Sequence, residues 1–397
     1  MTNAIFAAAR ALSPDITALR RAIHAEPELG LQTPMTSAKV RAALAGLPLI
    51  WREGGSTTGM VATLKGATQG RRVLLRGDMD ALPMAEETGL DFASTIPGRM
   101  HACGHDTHTA MLVGAAKLLS ARQADVAGEV QFMFQPGEEG HHGARFMLDD
   151  GLIDPLPDAA FALHIMPNAP FGIVAGKPGP LMAAADQFEI TVTGAGGHAS
   201  MPHDTRDPIP AAGAIVAAIQ TMVTRRFDAA DAVVVTVTQM HAGTTHNVIP
   251  DTAMLAGTMR SLSPDHRAKL HEALTHLARS TAAAHGVEAE VAITPGFPVT
   301  INDTRAVDLG RTVARDMLGR QGWRELDAPI MGAEDFAYVL EKVPGAMFFL
   351  GVAPQGEDWD SCCGIHSARM HVDEDAMPIG TAMLAGCAMQ FLESGFA

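Results

Sequence analysis

Basic residues are scarce in this chain. Of its 397 residues, 29 are Lys or Arg against 44 Asp or Glu, a formal charge of −15 at pH 7. Nucleic-acid binding needs clustered cations to meet phosphates, so that class of partner is excluded. A small anionic substrate needs only one local cation and stays open. Cysteine is equally sparse. Cys103, Cys362, Cys363 and Cys387 are too few for a disulfide framework in so long a chain. Cys362 and Cys363 are neighbours, which suits a bridge between them poorly. No apolar run is long enough to span a bilayer, so a membrane partner is not expected. The opening "MTNAIFAAARALSPDI" has neither a basic n-region nor a long apolar h-region. The expectation is a reducing, cytoplasmic location in which thiols stay free for metals or chemistry. Internal repeats and low-complexity tracts are also missing.

The remaining composition, 47 % apolar and 18 % charged, is that of a folded protein with ample core. At this length two domains are expected. Helical patterns at about 14–27 and 35–46 are followed by the apolar run "RVLLRGD" (72–78), then by helical periodicity over 108–122. "GEVQFMFQ" (128–135) and "DAAFALH" (158–164) read as further buried strands. Such alternation argues for an α/β layer with a mostly parallel sheet and helices on both faces. From about residue 182 the rhythm changes. "DQFEITVTG" (186–194) alternates apolar and polar positions, and two helices and three more strand-like runs complete an α+β block. After about 296 the first rhythm returns, with helices at about 304–319 and 333–342, the strand "AMFFLG" (346–351) and a terminal helix. The inferred plan is a discontinuous α/β catalytic domain, 1–181 and 296–397, carrying an inserted α+β domain, 182–295.

The chemistry collects in five places. "MHACGHDTH" (100–108) sets Cys103 among His101, His105 and His108. If "HACGH" is extended, residues 101, 103 and 105 share one side. Gly104 there lets backbone approach closely. Thiolate and imidazole are ligands for zinc and similar ions. "FQPGEEGHHGA" (134–144) puts Glu138 and Glu139 just beyond a strand end, where sites form in α/β sheets. One of the pair can bind metal while the other takes a proton from water. His164 ends a strand. "GDMDALP" (77–83) offers Asp78 and Asp80 as ligands or as acceptors that orient a ligating imidazole. His366 follows the strand "AMFFLG". Four strand ends that deliver such groups to one sheet edge are hard to explain by chance. Cys103, His105, Glu139, His164 and His366 exceed one tetrahedral zinc with an open position. Two metals ~3.5–4 Å apart with a shared water fit better.

At this point the sequence resembles the M20 metallopeptidase family, in the amidohydrolase branch of hippurate hydrolases, N-acyl-amino-acid amidohydrolases and plant auxin-conjugate hydrolases. The resemblance runs nearly end to end. It is carried by "RRAIHAEPELG" (20–30), "LRGDMDALPM" (75–84), "MHACGHDTHTAML" (100–112), "FQPGEEGHHGA", "LHIMP" (163–167), "GGHASMPH" (196–203), "HNVIPD" (246–251), "GTMRS" (257–261) and "MGAEDFAYVLEKVPGAMFFLG" (331–351). It implies a dinuclear site from the five donors above, filled by Zn²⁺ or Mn²⁺, with Co²⁺ or Ni²⁺ as further possibilities. It implies that Glu138 is general base and acid and that Asp80 lies behind the ligands. It implies that the inserted domain is a lid through which the chain forms a homodimer. His198 would then reach a neighbouring subunit's site and stabilise the oxyanion, and Asn247 and Arg260 would hold substrate. Two departures stand out. Asp78 occupies a position where many branches have a His ligand, and His141-His142 interrupt the glycine run after the paired glutamates.

The expected activity is hydrolysis of an N-acyl amino acid to a carboxylate and a free amino acid. A metallo-carboxypeptidase or dipeptidase and an N-acetyl-diaminopimelate deacetylase need the same centre. A catalytically silent metal-binding relative would not need Glu138. A cysteine hydrolase draws Cys and His from distant segments, and a zinc nucleobase deaminase needs a "PCxxC" that is absent.

Overall fold

The computed structural model describes residues 2–356, 358, 360 and 363–396. Its contacts divide the chain into two units. The first holds Met1–Leu181, Ile301–Ala328 and Asp335–Ala397, and the second Met182–Thr300 and Pro329–Glu334.

The first unit is built on an eight-stranded sheet. Strands β1 (Leu49–Glu53), β2 (Met60–Lys65), β3 (Thr68–Asp78), β4 (Ala127–Gln135) and β5 (Ala159–Met166) lie in the order β1-β2-β4-β3-β5. Gly345–Gly351, Val174–Gly176 and Trp323–Glu325 complete it. Four consecutive strands at the centre, β4, β3, β5 and Gly345–Gly351, run parallel. Parallel strands are covered on both faces and read as continuous apolar runs. Val73, Leu74 and Leu75 of β3 are accordingly all fully buried. The helices His105–Ser120 and Met377–Ser394 are buried nearly all round and pack against each other in the core. Parallel order has one consequence for function. The carboxyl ends of all four strands open at one edge, with "GDMD", "PGEE" and His164 on three of them.

The second unit has a four-stranded antiparallel sheet, in the order Val233–Ala242, Thr252–Ser261, Ala184–Thr193, Glu288–Pro295. Its central strand Ala184–Thr193 alternates buried and exposed positions, with Phe188, Ile190 and Val192 turned to a core of their own. Helices Pro208–Arg226 and Pro264–Ala284 cover that face and start at side-chain caps. Asp207 accepts from the Ile209 N–H and Ser263 from the His266 N–H.

Three local expectations need correction. "HACGH" is not an extended run, because Gly104 takes φ +89° as the N-cap and His105 is already the first residue of a helix. The helix expected at 333–342 shortens to Ala337–Leu340. Cys103 and Cys387 are free, but Cys363 is disulfide-bonded, against the expectation of free thiols throughout. Cys362, named beside it, lies outside the described residues. Among the described residues no helix is long and apolar enough to cross a membrane.

Candidate metal centre

Gly104 allows the turn that gathers the donors. A Cβ at this position would lie 2.5 Å from Ile165 Cγ1, so only glycine lets the loop close onto the end of β5. The loop then presents Cys103, and the first helical turn presents His105. From the other strand ends come Glu138 and Glu139 after β4, His164 in β5 and His366 beyond Gly345–Gly351. The His366 N–H donates to the Ala102 carbonyl at 2.6 Å, which ties that distant segment to the cysteine loop.

The donors form two overlapping triads, Cys103–His105–His164 and Cys103–Glu139–His366, each with its atoms within 4.8 Å of one another. Cys103 belongs to both. A third group, His105–Glu138–Glu139, overlaps them. Sγ of Cys103 is 3.3 Å from Nε2 of His164, and His366 Nε2 is 3.4 Å from Glu139 Oε1. Most of these groups are buried: His105 is 0 % exposed, and Cys103, Glu138 and His164 are 6 % each. Among the described residues neither ring nitrogen of His105 makes a hydrogen bond, nor does Oε1 of Glu139. Buried polar atoms normally find partners. Orphaned imidazole nitrogens and a carboxylate oxygen beside a thiol and two further imidazoles are the donor chemistry of a divalent-metal site. Without a cation, burial pushes the Cys103 thiol up to about 12.

The surrounding groups hold these donors in place. Asp80 accepts the Glu138 N–H at 2.9 Å with one oxygen and the Glu139 N–H at 3.1 Å with the other. Its Oδ1 also lies 3.4 Å from Nδ1 of His105. His164 donates Nδ1–H to the Ile165 carbonyl at 2.6 Å, which leaves Nε2 toward Cys103. Asp78 is 0 % exposed and paired to Arg76 at 2.7 Å. Burial works against its charge, but Arg76, His105 and His108 outweigh it and hold its carboxyl well below the usual range.

Two candidates of the opening cluster stand apart. His101 is in none of the donor groups. Its ring centroid sits 6.2 Å from that of His24, and burial pushes its pKa down to about 3, so it is neutral. His108 has both nitrogens in hydrogen bonds, to Asp78 and to the Ile165 amide. Of the histidines that replace the glycine run, His142 adopts φ +59° and its Nδ1 lies 2.8 Å from the Tyr338 hydroxyl. His141 packs over Gly30.

Residues in the second unit were also named from the sequence. His198 is exposed, in a two-residue strand paired with Val248–Ile249. The Ser200 N–H donates to its Nδ1 at 3.2 Å, with the Ser200 hydroxyl at 2.8 Å, so the ring proton sits on Nε2. The Asn247 carbonyl accepts the Ala199 N–H, which keeps Asn247 beside this strand. Arg260 is half-buried on Thr252–Ser261, donates to the Met259 carbonyl at 2.9 Å, and has no ion pair among the described residues.

Sequence reasoning passed over the buried ionic scaffolding. Arg76 donates to Gln135 at 2.8 Å and pairs with Asp335 at 3.1 Å. Asp335 also accepts the Ala144 N–H at 2.9 Å, which fixes the segment after the glutamate pair. Asp106 binds Arg20 at 3.0 Å and His24 at 2.8 Å, pinning helix His105–Ser120 to Ser13–His24. A charged Arg76 inside the apolar strand "VLLRGD" was the available signal.

The comparisons with known proteins agree with this geometry. Residues 74–390 match peptidase family M20/M25/M40. This chain belongs to that family. It is similar to an N-acetylcysteine deacetylase of Bacillus subtilis, 39 % identical over 95 % of this chain and 96 % of the relative. It is also similar to IAA-amino acid hydrolase ILR1-like 2 of Arabidopsis thaliana, 38 % identical over 94 % and 84 %. Thermostable carboxypeptidase 1 of Saccharolobus solfataricus is 38 % identical over 95 % of each chain. Among solved structures, a dinuclear metal-binding peptidase of the M20 family from Bacillus subtilis superimposes with a TM-score of 0.84. It is 35 % identical and covers 97 % of this chain and 99 % of its own. The M20 chain is therefore a metal-dependent hydrolase of the amidohydrolase and peptidase type, on a mixed α/β fold with an inserted domain.

Proposed function

We propose that this M20 hydrolase cleaves the amide bond of N-acyl amino acids, with two divalent ions held by Cys103, His105, Glu139, His164 and His366. Zn²⁺ or Mn²⁺ suits the mixed N, O and S donors, and Co²⁺ or Ni²⁺ is tolerated by the same set. The observation that carries the reading is Cys103 shared by two triads, with Glu138 at their side: its Oε2 is 3.9 Å from Nε2 of His105. Bound divalent cations lower the pKa of water toward ~7 and polarise the scissile carbonyl. Glu138 takes the proton as water adds to the acyl carbon, then donates one to the leaving nitrogen as the C–N bond breaks. Asp80 keeps that carboxylate aimed through the backbone it holds. The partner subunit's His198 donates its Nε2–H to the oxyanion; one such donor is worth about 3–4 kcal/mol. Arg260, which makes no ion pair among the described residues, receives the substrate carboxylate, and Asn247 its amide.

An N-acetylcysteine deacetylase and an IAA-amino acid hydrolase among the relatives support this substrate class. The carboxypeptidase relative favours a second reading, cleavage of a C-terminal residue from a peptide. The unit from 182 to 295 serves as lid and dimerisation domain. In support, its outer strand Val233–Ala242 pairs on one edge only and carries exposed Val234 and Met240. A centre built on a thiolate suits a reducing compartment such as the cytoplasm. The test is Glu138→Ala, assayed with N-acetyl, N-benzoyl and N-indolylacetyl amino acids and with dipeptides. Turnover should vanish while bound metal stays. Undiminished turnover refutes the base assignment, and exclusive dipeptide cleavage by the wild type refutes the substrate class.

A further inference from the structure

We propose that Asp78 and His108 form a buried clamp that positions the ligand His164, and that His108 is not itself a ligand. This rests on the reading of Cys103, His105 and His164 as metal donors. The alternative is chemically plain: Asp78, His105 and His108 also bring ligand atoms within 4.8 Å of one another. The three imidazoles crowd together, with ring centroids 5.5 Å apart for His105–His108 and 4.5 Å for His108–His164.

Hydrogen bonding separates them. Nδ1 of His108 is 2.6 Å from Asp78 Oδ1, and an ionised carboxylate only accepts, so Nδ1 carries the proton. Nε2 of His108 is 2.8 Å from the Ile165 nitrogen, and a backbone amide only donates, so Nε2 presents its lone pair there. Both nitrogens are spent on protein, and the residue is 2 % exposed. His105 differs, because among the described residues neither of its nitrogens makes a hydrogen bond.

The clamp meets a need created by the sheet. Pairing of β3 with β5 stops at Arg76↔Ala162, three residues before Ile165. On the β3 side the Ile165 amide lies beyond the ladder and takes His108 as its acceptor, while Ile165 stays paired with Leu350 on the other side. The Ile165 carbonyl receives Nδ1–H of His164. The backbone of one residue is thus held on one side by His108 and on the other fixes the ligand. At its far end the clamp is anchored by Arg76, which donates to Asp78 Oδ2, and by Thr109, whose hydroxyl donates to the Asp78 carbonyl. The chain Arg76–Asp78–His108–Ile165–His164 joins the end of β3, the first helical turn and the end of β5.

Two variants divide the clamp between them. In His108→Gln the side-chain carbonyl replaces Nε2 as acceptor for the Ile165 amide. In His108→Asn the amide NH₂ replaces the donor to Asp78, and the acceptor is lost. Metal-free protein is followed by hydrogen exchange at the Ile165 amide, and reloaded protein by Zn²⁺ content and affinity. His108→Asn should speed Ile165 exchange and weaken one metal site roughly 10- to 100-fold. His108→Gln should restore both. In wild-type protein, which needs no variant to fold, ¹⁵N shifts should show His108 protonated at Nδ1 and bare at Nε2, unchanged as Zn²⁺ is added. The proposal is overturned if Zn²⁺ shifts the Nε2 signal, or if both variants lose one metal with Ile165 exchange unaltered. Unaltered exchange and affinity in both variants overturns it too. Wild-type protein that binds no Zn²⁺ would instead refute the ligand reading, and Ile165 exchange would still decide the clamp.

Discussion

Asp80→Asn asks whether one carboxylate holds the glutamate pair in place. Asp80 is 1 % exposed, and its two oxygens accept separately from Glu138 N–H at 2.9 Å and Glu139 N–H at 3.1 Å. An amide of the same shape has a single accepting oxygen. Whichever way it turns, one backbone N–H faces another donor. A buried donor left unpaired costs about 1–3 kcal/mol. The surviving bond also weakens, because charge-assisted bonds are roughly twice as strong as neutral ones. Oδ1 lies 3.4 Å from Nδ1 of His105, so that ring is loosened as well. The metal-free variant should melt lower by about 2–4 °C for each kcal/mol lost. After reloading, kcat should fall roughly 10- to 100-fold, the range for groups that orient ligands. Calorimetry of chelated protein, hydrogen exchange at the two glutamate amides and steady-state hydrolysis read the three effects. A melt within ~1 °C of wild type, with normal exchange at Glu138 and Glu139, would refute the reasoning.

His24 supplies a pH test. Burial opposes its charge, but Asp106 and Glu86 outweigh burial and raise its pKa from 6.5 to about 9. A raised pKa adds stability that is complete below pH ~6.5 and is lost as pH climbs through ~9. The gap corresponds to about 3 kcal/mol. Denaturant midpoints of metal-free protein at pH ~6 and ~9.5 should show the loss, and His24→Asn should flatten it. Arg260→Ala should raise KM for N-acyl amino acids roughly 10- to 100-fold, the worth of a hydrogen bond to a charge, with kcat little changed. An N-acyl amino acid amide, lacking the carboxylate, should show no such defect. Mixed dimers of His198→Ala and Glu138→Ala chains should regain about a quarter of wild-type activity, since half the dimers carry one intact site. Heterodimers that stay inactive would remove His198 from the neighbouring site.

The strand ends were legible because parallel strands, covered on both faces, print continuous apolar runs. Val73–Leu75 and Phe132–Phe134 leave little doubt where β3 and β4 lie, and the donors follow directly. The local form of "HACGH" was not legible. Its extended reading depends on period-2 geometry, whereas Gly104 at φ +89° breaks the period and starts a helix at His105. With the period broken, His101 turns toward His24 and away from the donors. His105 and His108 could not be ranked by spacing either. What separates them is the Ile165 amide, which arrives from a strand 57 positions away. Arg20, Arg76, Asp106 and Asp335 escaped for the same reason, since each is defined by partners that only the tertiary fold supplies.

The residue at position 78 shows how far such a centre can be altered one step at a time. The resemblance implies a His ligand in other M20 branches where this chain has Asp78, and the exchange looks like a single substitution. Here it is not. Arg76 is 2 % exposed and divides its charge between Asp78 and Asp335. A His at 78 would take one carboxylate away from that buried guanidinium, where the loss of a paired counter-charge costs several kcal/mol. It would also take the acceptor from Nδ1 of His108 and release the Ile165 amide that steadies His164. Asp78→His alone should therefore cost metal affinity at a site it was meant to improve. Recovery requires changes at Arg76 and His108 together, which makes these three positions a coupled set. Arg76, Asp78 and His108 are expected to exchange as a unit.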